Sequence, residues 1–186
     1  MSACSEWNNT LFIDKVNSIP NVYHSVSSKE ILIKNDLVYQ DGKLYNGFLF
    51  ELDSISKDTI LVATYLNGKT EGISKKYYSK NHLMEIRDYS NGEKNGSQIA
   101  YWENGKKRFE YTAKKDIYEG EMKEWNTDGS LYHLAHFKNG QEDGEQKFWY
   151  DNGKIKANYV ILNGKRYGLL GTKNCKNVSD SIFVVQ

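Results

Sequence analysis

Along three stretches of the second half of the chain, apolar and polar residues alternate with a period of two. Phe109, Tyr111 and Ala113 stand against Arg108, Glu110 and Thr112. Leu131, His133, Ala135 and Phe137 stand against Tyr132, Leu134 and His136, and Ile155, Ala157, Tyr159 and Ile161 against Lys156, Asn158 and Val160. Such alternation predicts strands with one face turned inward. The odd-numbered side is the predicted buried face, blurred by Leu134 and Val160. Glycine-containing turns punctuate the runs: "NGKTEG" (67–72), "NGEKNG" (91–96) and "NGQEDG" (139–144) in one set, and "ENGK" (103–106), "TDGS" (127–130) and "DNGK" (151–154) in the other. Asn-Gly and Asp-Gly predict tight hairpins, because both central residues of the tightest turn take positive φ.

The pattern repeats. Gly72, Gly96, Gly120, Gly144 and Gly168 are 24 residues apart, as are Gly105, Gly129 and Gly153, and as are Tyr77, Tyr101, Trp125 and Trp149. Three series with one period mark an internal repeat. The array starts near residue 37, where "LVYQDGKLYNGFLFE" has the same grammar, with Gly47 standing 25 residues before Gly72 and so one residue out of phase. Turns without glycine, "SKNHLM" (79–84) and "TAKKD" (112–116), read as degenerate copies. Residues 1–36 and 172–186 fall outside the period. They read as an N-terminal tether and cap and a C-terminal cap around repeats at 37–171, with "SIFVVQ" as a closing strand, since end units must cover an open edge.

Composition narrows the class. The 186 residues have a mean hydropathy of -0.71, yet 13% are aromatic, which argues against disorder. Net charge is +1 and the lysines are interspersed with acids, so the clustered charge that grips nucleic acid is missing. No apolar run is long enough for a membrane-spanning helix.

The unit, aromatic-x-Asn-Gly-x-x-x-Gly followed by an aromatic and a second Asn/Asp-Gly, resembles the MORN-type repeat. With its "DGKLYNG" opening it is similar to the bacterial variant known as the YwqK-type antitoxin component. The resemblance covers about 37–171 and implies an all-β fold: an elongated single sheet of consecutive antiparallel β-hairpins. It also implies a binding module or scaffold, and with no catalytic motif in the sequence neither enzymatic activity nor a cofactor is expected.

Candidate chemistry is sparse. In the series Tyr77, Tyr101, Trp125 and Trp149, cross-strand stacking is the expected role. Their neighbours Tyr78, Trp102 and Tyr150 fall on the opposite faces of their strands and are the candidates for binding a protein partner. His133 and His136 form H-x-x-H, which on a strand points the rings to opposite faces, and no ligand set for a metal completes it. Glu119, Glu121 and Glu124 form no recognisable acid–base pair, and no nucleophile or phosphate-binding motif is present.

The start, "MSAC", reads like the end of a bacterial lipobox, with Cys4 as the residue that receives lipid. That reading makes Cys4 the sole route to a membrane and the cell envelope the location. The alternative is a cytoplasmic protein with an incidental cysteine. Cys175 reads as a buried capping cysteine, with a bridge to Cys4 as the alternative. The expected function is a non-enzymatic protein-binding scaffold, envelope-tethered as a lipoprotein. The alternative is an antitoxin or immunity-type protein that neutralises a cognate toxin in the cytosol.

Overall fold

The structure, a computed structural model, describes residues 19–171. Within them the regular structure is strand, apart from a short 3-10 turn at Ser79–Asn81. The all-β fold of consecutive antiparallel hairpins is what the alternation and the turns predict. The chain divides into two compact units, one up to Lys94 and one from Asn95.

The first unit holds β1 (Tyr23–Ser25), β2 (Ile31–Lys34), β3 (Leu37–Gln40), β4 (Lys43–Leu44), β5 (Gly47–Leu52), β6 (Thr59–Leu66), β7 (Lys69–Thr70), β8 (Gly72–Tyr77) and β9 (Leu83–Ser90). β5, β6, β8 and β9 pair in sequence order, and β7 pairs with β6. β1 adds in parallel to β5, setting Tyr23 beside Phe48 with their rings stacked at 4.7 Å. β2, β3 and β4 make a separate antiparallel sheet. Residues 19–36 are thus folded into the first repeats.

The core of this unit is made by Val38, Tyr45 and Leu49, with Val26, Ile31 and Tyr65 packed on them. The small sheet supplies Ile31 and Val38, and the larger sheet Leu49 and Tyr65, so bulky side chains meet between two layers. The Tyr45 hydroxyl donates to the Phe48 carbonyl at 2.9 Å, and burial pushes its pKa up. Gly47 is required here: with φ at 143°, an added Cβ would lie 2.7 Å from Val22 Cγ2 and 2.9 Å from the Val22 carbonyl oxygen.

The second unit is a meander. β10 (Glu93–Tyr101) enters it at Asn95 and is followed by β11 (Lys107–Lys114), β12 (Ile117–Trp125), β13 (Leu131–Lys138), β14 (Gln141–Trp149), β15 (Ile155–Leu162) and β16 (Lys165–Leu169), each paired with the next.

Two kinds of turn alternate. Asn91-Gly92, Asn139-Gly140 and Asn163-Gly164 have φ near 51–55° at Asn and 73–88° at Gly, the doubly left-handed type I′ geometry. Lys115-Asp116 adopts it too, at 52° and 63°, without glycine. The other set differs from the expectation. In it only Gly105, Gly129 and Gly153 have positive φ, closing a type I turn with a glycine bulge. Asn104, Asp128 and Asn152 instead accept, through their side chains, the N–H two residues on, at 3.1, 2.8 and 3.0 Å.

Two of the glycines spaced by 24 are bulge positions. Gly120 and Gly144 lie within β12 and β14 where pairing slips, with φ of 75° and 83°. Each slip bends the strand and inserts residues with no counterpart on the neighbour.

The odd-numbered side is the buried face. One row runs Ala100, Phe109, Glu124, His133, Phe148, Ala157 across neighbouring strands. The next runs Gln98, Tyr111, Met122, Ala135, Gln146, Tyr159, Gly168. Ala113, Ala135 and Ala157 are all buried, Ala135 with no exposure. Each alanine takes a different row, so at equal repeat positions it sits beside larger residues: Ala135 matches Tyr111 and Tyr159, Ala113 matches Phe137, and Ala157 matches His133. Rings cover the small residues, in a chain of contacts from Phe109 to Tyr111 (5.8 Å), Tyr118 (4.5 Å) and Phe137 (5.0 Å).

Candidate functional site

Successive repeats are joined at their turns. At the type I′ turns, the N–H of Gly92 donates to the Thr70 carbonyl at 2.9 Å, and that of Gly140 to Tyr118 at 3.0 Å. The residue before each bulge glycine takes part as well: Glu71 accepts the Asn91 N–H at 2.7 Å and Glu119 the Asn139 N–H at 2.9 Å. At the opposite turns, Asn104 Nδ2 donates to the Thr127 carbonyl at 2.7 Å, and Lys106 Nζ donates to the Asp128 carbonyl.

Trp102 belongs to this second set of links. Its indole N–H donates to the Trp125 carbonyl at 3.0 Å, and the Arg108 guanidinium stacks over its ring at 4.8 Å. The residue is half-buried and not a ring standing clear on a polar face. Tyr78 is also half-buried, and its N–H donates to the His82 carbonyl at 2.7 Å, closing the turn over Lys80 and Asn81, both of positive φ. Tyr77, Tyr101, Trp125 and Trp149 are half-buried as well. Tyr150 is the most open of the three predicted residues, at 40% exposure, with Lys156 Nζ 5.8 Å from its ring centre. Cys4 and Cys175 lie outside the described residues, as does "SIFVVQ".

Tyr150 opens onto a cleft of about 540 Å³ beside the last hairpin of the second unit, lined by Phe148, Tyr150, Lys156, Ala157, Tyr159, Arg166, Leu170 and Gly171. Phe148, Ala157 and Tyr159 come from the buried face, at the end of its rows. The Tyr159 phenol is pushed up in pKa by burial and by the nearby Glu142 carboxylate. Arg166 reaches over the Tyr159 ring at 5.3 Å and pairs with Glu142 at 3.2 Å. The volume is that of a ligand site, with an apolar aromatic floor and two cations at the rim.

The cross-strand pair Glu124 and His133 forms a second polar feature. His133 Nδ1–H donates to Glu124 Oε2 at 2.7 Å, and the His133 ring stacks on Phe148 at 4.0 Å. That hydrogen bond holds the Glu124 carboxyl below the usual glutamate range, against its own partial burial. His133 Nε2 is buried without a partner among the described residues. His136 faces the other side of the strand, its ring 3.3 Å from the Glu145 carbonyl oxygen. Among the described residues no group of three or more His, Cys, Asp or Glu side chains is placed to hold a metal ion. No helix among them is long and apolar enough to cross a membrane.

Sequence reasoning missed the cleft and the glutamate links. The signal for the links is present: an acid or amide precedes the bulge glycine in Asn46, Glu71, Asn95, Glu119 and Asp143. It is hidden because donor and acceptor lie 20 residues apart, not 24.

Three successive segments, residues 94–115, 118–139 and 142–159, match the family described as the MORN repeat variant, which supports a MORN-type repeat over that stretch. No curated protein matches the sequence. Among solved structures, the chain is similar to a point mutant of S. aureus TarM in complex with Fondaparinux, alpha-GlcNAc-glycerol and UDP, at 16% identity and a TM-score of 0.33. It is also similar to a further TarM crystal structure, at 15% identity and a TM-score of 0.32. Each likeness covers 53% of this chain and 20% of the other, so the chain spans a fifth of their length.

Proposed function

We propose that this MORN-type repeat chain is a non-enzymatic scaffold that binds a protein partner, with the cleft at Tyr150 as a principal point of contact. The observation that carries the reading is the contrast between rings. Trp102 is tied into a link between repeats, whereas Tyr150, Tyr159 and Phe148 line an open cleft. Aromatic residues that line a pocket at the centre of an interface are where binding energy concentrates. An enzymatic role would fall to Glu124 and His133, but their contact is closed by packing against Phe148.

The finer parts of the proposal rest on sequence. A lipid on Cys4 would hold the scaffold at the bacterial envelope, and in its absence the partner would be cytosolic, a toxin being the case suggested by the YwqK resemblance. The test is cross-linked capture from the producing cell, with partners identified by mass. A stoichiometric partner captured by the wild-type chain and lost on Tyr150→Ala is expected. Turnover of a cell-wall or nucleotide substrate that disappears in Glu124→Gln would overturn the reading. Metabolic labelling with a fatty acid, lost in Cys4→Ser, tests the tether.

A further inference from the structure

β16 has five residues, whereas its counterparts β12 and β14 have nine. It pairs with β15 only from Asn158 to Leu162. The first three residues of β15, Ile155, Lys156 and Ala157, therefore have an outer edge that no described strand covers. In earlier repeats that place is filled: the second half of β14 lies beside the first half of β13, with Phe148 opposite His133. The cleft lies along this gap, since Lys156 and Ala157 line it from β15, Arg166 and Leu170 from β16 and just beyond it, and Phe148 from the strand behind.

We propose that the cleft binds an extended acidic segment of a partner protein, which adds as a strand along the uncovered edge of β15. The proposal rests on the scaffold reading above and names what the cleft selects. An open strand edge offers main-chain donors and acceptors to an extended peptide, while pockets beside it take alternate side chains. Here the aromatic floor takes an apolar side chain. The sign of the charge selects acids: among the described residues the lining carries Lys156 and Arg166 and no carboxylate, with Glu142 pairing Arg166 from outside it. Arg166 gives one amine to Glu142 and, as a planar guanidinium, has further donors for a carboxylate.

The probe is an acetylated, amidated and fluorescently labelled pentapeptide, Asp-Phe-Glu-Val-Asp, titrated against the full chain and followed by anisotropy. Two controls accompany it, one with lysine in place of each acid and one with alternate backbone amides N-methylated. The acidic probe should bind about tenfold or more tighter than the lysine peptide, and the advantage should shrink in high salt. The N-methylated peptide should lose binding, since it cannot complete the edge. Lys156→Gln combined with Arg166→Gln should weaken the acidic probe about tenfold or more while leaving the melting temperature unchanged, because both side chains are exposed.

Equal binding of acidic and lysine peptides, or undiminished binding of the N-methylated one, overturns the proposal. So does an unbound probe. If the chain then sediments as a dimer, a second copy holds the cleft; if it is a monomer whose Tyr159 ring shows nuclear Overhauser contacts to residues 172–186, its own tail does. Should the probe fail while capture of the natural partner still depends on Tyr150, the scaffold reading stands and this one falls.

Discussion

The two units bury different things. The first closes a small sheet over a larger one and fills the space with Tyr45, Leu49 and Val38, each at most 2% exposed. Among its described residues the second, built from the most regular repeats, buries four alanines, the glutamines Gln98 and Gln146, and only near its last hairpin the larger Tyr159 and Ile161. A two-layer unit gains stability from bulk between its layers. A meander whose buried face is covered by its own rings gains it from small residues that let those rings lie down. Bulk therefore fills the space between layers in the first unit, whereas at the alanine positions of the second it would displace a ring.

The sharpest test exchanges sizes. Leu49→Ala should cost about 2–5 kcal/mol, the range for a large buried aliphatic residue whose site cannot collapse. Ala135→Leu should cost about 1–3 kcal/mol, because the added atoms meet neighbouring side chains with no space to yield. The readout separates the units. Trp102, Trp125 and Trp149 all lie in the second, so in a Trp7→Phe background urea unfolding followed by fluorescence reports that unit, and far-ultraviolet dichroism reports both. If Leu49→Ala shifts the fluorescence transition as much as the dichroic one, the units unfold together and the contrast is broken.

Next in size comes the glutamate before the bulge. Glu71 is 3% exposed and Glu119 is only half-buried, though both accept the same N–H of the next turn. Glu71→Ala should cost about 1–3 kcal/mol by removing a buried carboxylate that accepts from the Asn91 N–H and the Ser90 hydroxyl, and Glu119→Ala less than about 1 kcal/mol, since water replaces the carboxylate. Equal losses would show that solvent reaches both links alike.

The third prediction concerns acid. Glu124 has a lowered pKa in the folded chain, with the His133 hydrogen bond as the main cause. Its contribution is full above the ordinary value of 4.5 and is lost as pH falls through the lower folded value. Glu124→Gln should therefore destabilise the second unit near neutral pH and flatten the acid side of its stability profile. The measurement is urea unfolding by fluorescence from pH 7 down to 3. A profile as steep as that of the wild type would sink the assignment.

The smallest effect has the opposite sign. Lys115-Asp116 holds two side chains in a conformation that glycine adopts freely. Asp116→Gly should stabilise the second unit by about 0.5–1 kcal/mol, read as a raised melting temperature. A loss would mean that the Asp116 side chain contributes more than its backbone costs.

Much of the fold was legible because hairpin chemistry is local. Asn-Gly at 139–140 dictates a turn whatever surrounds it, and the alternation over 155–161 dictates a face. What could not be read depends on residues far apart. The parallel pairing of Tyr23 with Phe48 has no periodic signature, so residues 1–36 read only as a tether and cap outside the period. Nothing near Trp102 in sequence marks its indole N–H, which meets a carbonyl 23 residues later. The cleft arises from the early end of β16 at Leu169, and sequence sets strand ends only loosely.

The diagonal of alanines has a consequence for folding. A chain of near-identical hairpins faces a degeneracy problem, since a strand slipped by one whole repeat finds turns and alternation that match almost as well. Backbone chemistry does not tell the copies apart. Side-chain size does: a slip of 24 residues would bring the small site shaped for Ala135 against a ring such as Tyr111 or Tyr159, and would leave a void where that ring had been. Each repeat thus carries a different key in the same lock position, and the misregistered states lose on packing what they match in pattern.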